Sequence, residues 1–163
     1  MNAFLQWLES TGLSVWMREE PSILAFPAIL SLHTIGLAFV VGINVVIALR
    51  VLGVAPVIPS DELKRFMPVM WAGFWLNAVS GVVLLIGYPT KALTNPVFYL
   101  KLAFIGLGVV IIRRMAATLF VSRATDVRSL RPMAWASLVC WGGAITAGRL
   151  LAYTHTRLLQ GLY

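Results

Sequence analysis

Charge is scarce in this sequence, and negative charge is scarcest. Only 12% of the 163 residues are charged, six are Asp or Glu, and none of those six lies between Phe66 and Val121 or between Pro132 and Tyr163. There is one cysteine, Cys140, which excludes an intrachain disulfide and a multi-cysteine metal site. Set inside an apolar run, it reads as a small buried hydrophobe. The sequence has no glycine-rich nucleotide loop, no zinc-ligand spacing and no serine nucleophile context, so no catalytic motif is found. The lack of carboxylates inside the apolar runs argues against a proton pump. The lack of half-helices or an inverted repeat argues against a transporter. No basic stretch precedes the first apolar residues of MNAFLQWLESTGLSVWMREE, which also carries Glu9, so this segment is expected to stay in the mature protein.

What is present is apolar. Hydrophobic residues make up 60% of the chain and the mean hydropathy is +0.87, the balance of an integral membrane protein. A spanning helix needs about 20 apolar residues, and four segments qualify, at about 22–52, 66–86, 96–115 and 132–153. Short connections between them predict an all-α fold, a four-transmembrane-helix antiparallel bundle occupying residues 21–163. Residues 1–20 mix Phe4, Trp7, Leu8, Leu13 and Trp16 with Gln6, Glu9 and Ser10, and read as an interfacial amphipathic helix. Ser60, followed by Asp61 and Glu62, is expected to cap a polar extension of the second helix.

The net charge of +7 comes from basic residues at the ends of the apolar runs. Anionic lipid and the positive-inside bias account for that placement, so the lipid bilayer is the expected partner and nucleic acid is not. Arg50, Lys64 and Arg65 lie in the first connection and Arg113, Arg114, Arg123, Arg128 and Arg131 in the third, whereas the second carries only Lys91. Both termini are therefore expected outside, in the periplasm of a bacterium.

Depth along each helix, at 1.5 Å per residue, places the intramembrane polar groups together. His33 falls about 25 Å from Arg50, Asn77 and Ser80 about 18 and 22 Å from Arg65, Lys101 about 18 Å from Arg113, and Arg149 about 27 Å from Arg131. All five lie in the outer half of a core about 30 Å thick. His33, Leu37, Val40 and Asn44 share one helical face, as do Gly73, Asn77, Ser80 and Leu84. Lys101 shares a face with Ile105 and Gly108, and Gly142, Thr146, Arg149 and Tyr153 form another. Small residues beside polar ones let helices approach and hydrogen-bond. The spacing predicts an outer-leaflet polar pocket built by His33, Asn77, Ser80, Lys101, Arg149 and Tyr153.

Two buried cations without a local carboxylate need an anion. Glu19 and Glu20, beside Arg18 at the outer end, are the chain's own candidates and would make a lid or an ion pair. Otherwise a bound group supplies the charge. His33 could ligate the iron of a b-type haem, with Lys101 and Arg149 on the propionates. The second histidine, His155, lies about 10 Å farther out than His33 and about 240° off the face of Arg149. A quinone hydrogen-bonded by His33 and Asn77 is the other redox reading. The remaining alternative has no cofactor: His33 merely bonds a neighbouring helix, and the chain is an accessory or assembly subunit. A homo-oligomer or other membrane subunits are expected partners, with Gly143 to Ala147 a candidate contact stripe.

The order of LQWLESTGLSVWMRE, SLHTIGLAFVVG, RVLG, PVMWAGFWLNAVSG, NPVFYLK and AGRLLAY resembles a family of small bacterial four-helix membrane proteins of unknown function. That resemblance covers nearly the whole chain and implies an inner-membrane location and the fold, with no assigned activity. Its motif positions include Arg18, Glu19, His33, Trp71, Lys101, Arg149 and Tyr153. His155 is outside the pattern. More distantly, HxxG on a first helix is similar to copper-resistance and cytochrome b561-like membrane proteins, which implies haem by analogy.

Overall fold

The computed structural model describes residues 2–121 and 127–160, the stretch 154–160 by its helical backbone only, and every regular element among them is helical. Two short helices, α1 (Asn2–Glu9) and α2 (Gly12–Glu19), form a hairpin. The long helices are α3 (Phe26–Leu52), α4 (Ser60–Gly87), α6 (Pro96–Ala116) and α7 (Arg131–Gln160), with a short α5 (Pro89–Leu93) between α4 and α6. A π-helical stretch, Ala117–Val121, continues α6, and a 3₁₀ turn, Val127–Leu130, leads into α7.

The helix ends follow local chemistry. α3 starts at Phe26, later than the hydropathy edge near residue 22, because Pro27 fits the first turn, where no N–H is needed. It stops at Gly53, whose φ of 84° is open to glycine. Gly53 N–H reaches Arg50 O and Val54 N–H reaches Leu49 O at 3.0 Å. α4 carries Asp61 and Glu62 in its first turn as expected, but the cap position belongs to Pro59; Ser60 is already helical and makes no cap bond. Asn95 caps α6, its Oδ1 accepting Val97 N–H at 3.0 Å, and Pro96 opens the helix.

α3, α4 and the stretch Pro96–Phe120 are each long and apolar enough to cross a membrane. α7 is a fourth long helix packed antiparallel to α6. Large apolar side chains cover the outside of all four, among them Val79, Val82, Leu107 and Val139 at 55–64% exposure. Water does not tolerate so continuous an apolar surface and lipid does. The chain is a multi-pass membrane protein in contact with the bilayer.

α3 packs on α4 and α7, and α6 packs on α7. α3 and α4 cross at Gly36 and Gly73, so closely that a Cβ on Gly36 would lie 2.7 Å from Asn77 N and Gly73 O. On α7 the stripe Gly143–Ala147 is filled by Phe104 of α6, whose ring atoms lie 2.8 Å from where a Gly143 Cβ would be. That stripe therefore serves packing within the chain and is not free for a second copy. One buried cluster joins all four helices: Ile47, Ala48 and Val51 of α3, Leu63 and Met70 of α4, Ile112 and Met115 of α6 with Leu119 beyond it, and Ala134 of α7. All of it lies toward the arginine-rich end.

Candidate functional site

A cavity of about 350 Å³ lies among α3, α4, α6 and α7, with Lys91 and Ala92 of α5 in its wall. Its walls are mostly apolar: Phe26 and Leu30 of α3, Leu84 and Leu85 of α4, Phe98 of α6 and Leu151 of α7. Its polar groups are His33, Tyr88, Lys91 and Lys101. Among the described residues no carboxylate lines it.

His33 is held firmly from α4. Its Nδ1 lies 2.9 Å from the backbone oxygen of Asn77 and 3.1 Å from Ser80 Oγ. Asn77 Nδ2 in turn donates to the backbone oxygen of His33 at 2.7 Å. The Ser80 hydroxyl donates to Leu76 O at 2.6 Å. Gly81 makes room for the ring, with His33 Cε1 3.1 Å from the place a Cβ would take. Two helices are thus stitched at one level, and Nε2 of His33 has no partner among the described residues.

Lys101 reaches the same cavity from α6. It is half-buried, its Nζ 3.9 Å from where a Gly148 Cβ would sit, and it has no hydrogen bond or ion pair among the described residues. Lys91, carried on α5, donates to Ala152 O at 3.4 Å. The sequence shows Lys91 only as the lone charge of the second connection and gives Tyr88 no role, because the turn of α5 is what aims them at the cavity.

The other sequence-predicted residues sit elsewhere. Arg149 and Tyr153 lie on the exposed face of α7 and do not line the cavity, and Gly142 and Thr146 of the same face are exposed too. α7 buries Ala134, Ser137, Cys140, Trp141, Ala144 and Ala147 instead. Close approach selects these mainly small residues, and a long arginine near the helix end can reach headgroups on its own. The side chain of His155 lies outside the described residues. Ser137 carries a contact that sequence reading missed, donating to the buried Asn44 Oδ1 at 2.8 Å.

Arg18 closes the α1–α2 hairpin on itself, with Nη2 donating to Glu9 O at 2.6 Å and Nε to Ser14 O at 3.3 Å. The hairpin docks on the end of α4 through Ser14, whose hydroxyl donates to Gly87 O at 3.2 Å, and through Met17, packed where a Gly87 side chain would be. Glu19 and Glu20 are exposed, and the one side-chain ion pair among the described residues joins Arg65 to Glu62 at the far end. Neither glutamate answers Lys101. No three His, Cys, Asp or Glu side chains gather as a metal site among the described residues.

No family model, curated protein or solved structure matches the chain.

Proposed function

We propose that the chain is a four-span inner-membrane protein of bacteria whose outer-leaflet cavity holds the headgroup of a redox amphiphile, a quinone, as a subunit of a larger electron-transfer complex. The observation that carries this is Lys101: a half-buried ammonium in a mostly apolar cavity, with no carboxylate beside it, facing an imidazole with an unused nitrogen. A cation so placed is expensive without an electron-rich partner. A quinone oxygen meets that need, and the apolar walls suit a substituted ring and the start of an isoprenoid tail.

Haem b is the lesser fit. A cavity of about 350 Å³ suits a single six-membered ring better than a macrocycle of four pyrroles. α7, antiparallel to α6 along its length, serves as the fourth span, which returns the chain to the side from which it started.

The test is to purify the protein gently in detergent, extract it with organic solvent and look for a quinone at near-stoichiometric amount, alongside oxidised and reduced absorption spectra. Quinone in the wild type and its loss in Lys101→Met supports the reading. A Soret band lost in His33→Ala would replace quinone by haem. A folded protein with neither would leave the cofactor-free accessory subunit, with His33 as a helix-joining residue.

A further inference from the structure

The cavity's hydrogen-bonding sense is fixed by α4, and it selects among oxidation states of the ligand. We infer that the site recognises the reduced form of its quinone: one hydroxyl of the hydroquinone donates to His33 Nε2 while its second oxygen accepts from the Lys101 ammonium. This rests on the quinone reading above.

Both partners of His33 Nδ1 are acceptors. The Asn77 backbone oxygen carries no proton, and the Ser80 hydroxyl proton is directed at Leu76 O, 2.6 Å away, leaving an oxygen lone pair toward the imidazole at 3.1 Å. Nδ1 must therefore bear the hydrogen. A proton on Nε2 as well would set a second cation beside Lys101, in a cavity lined by no carboxylate. The neutral ring then presents a lone pair at Nε2, and only a ligand that brings a proton can use it. An oxidised quinone has two carbonyl oxygens and nothing to donate, so it meets Lys101 on one side and an idle acceptor on the other. The hydroquinone satisfies both. The Nδ1 contacts to Asn77 O and Ser80 Oγ hold the ring in this attitude, and Gly81 leaves room for it.

A ligand hydroxyl that completes a partly buried hydrogen bond, against an oxygen that leaves it unmade, is expected to change affinity about ten-fold. For a two-electron couple that raises the midpoint potential of the bound quinone by about 30 mV. The experiment is an anaerobic titration of the full chain in detergent with a decyl-substituted benzoquinone and, separately, with its hydroquinone, followed by tryptophan fluorescence.

The expected result is tighter binding of the hydroquinone by the wild type. Ser80→Ala should keep the preference, because Asn77 O still holds the Nδ1 proton, and Lys101→Met should weaken both forms. His33→Phe, with a ring of similar breadth, should bring the two affinities together. Equal affinities in the wild type, or tighter binding of the quinone, would overturn the inference and leave the quinone site standing. Binding of neither form would overturn both. The wild-type ratio decides the matter even where His33→Phe fails to fold.

Discussion

At the residue scale the α3–α4 crossing is the sharpest constraint. A methyl on Gly36 would meet backbone atoms, Asn77 N and Gly73 O, each at 2.7 Å, and backbone cannot swing aside as a side chain can. Gly36→Ala should lower stability by about 1–3 kcal/mol, whereas Gly142→Ala, with nothing within 4 Å of the new methyl, should change it by less than about 0.5 kcal/mol. Thermal melts in one detergent would compare the two; equal melting points would contradict the close crossing. Asn77→Ala removes the bond to His33 O and should cost about 0.6–2 kcal/mol by the same assay. The meeting of His33 with Asn77 and Ser80 was legible in the sequence, since all three repeat on helical faces at matching depth. Lys91 was not, because its direction is set by a five-residue helix that hydropathy does not reveal.

The elements differ in how much of their orientation the sequence betrays. On α3 and α4 polar and small residues coincide on one face, so either signal finds the buried side. On α7 the two signals disagree: Thr146, Arg149 and Tyr153 run down the exposed side while Ala134, Ser137, Ala144 and Ala147 run down the buried one. Packing follows the small residues. Arg149→Gln should accordingly leave ligand content unchanged in the extraction assay that Lys101→Met empties, and a parallel loss in both would bring Arg149 back to the cavity. The α1–α2 hairpin is held on α4 at Gly87, where Met17, 1% exposed, occupies the space above the glycine and Ser14 donates to its oxygen. Gly87→Leu should expel Met17 and free the hairpin. Limited proteolysis would then cut near residues 20–25 in the variant and spare the wild type, with helix content preserved in both.

Over the whole molecule, the arrangement of basic ends predicts a topology that labelling can test. In a Cys140→Ala background, Ser10→Cys and Thr94→Cys should react with an impermeant maleimide from one side of the membrane and Asp61→Cys from the other. A reporter fused behind residue 163 should report the side of Ser10. A reporter on the side of Asp61 would mean that α7 lies along the bundle without crossing. Hydropathy alone suggested four similar spans, yet α7 falls short of the other three as a candidate, since Arg149 and a run of glycines and alanines dilute it; its place is set by α6 and α3. The division between a dense cluster at the arginine-rich end and a cavity at the other has a bearing on how such a protein can change over time. The cluster that joins all four helices lies apart from the cavity, and of the cavity's lining only His33 is also bonded across α3 and α4, so substitutions among the other wall residues can accumulate without passing through unfolded intermediates. One scaffold can thereby be re-specified for new headgroups by altering a handful of side chains above an untouched base.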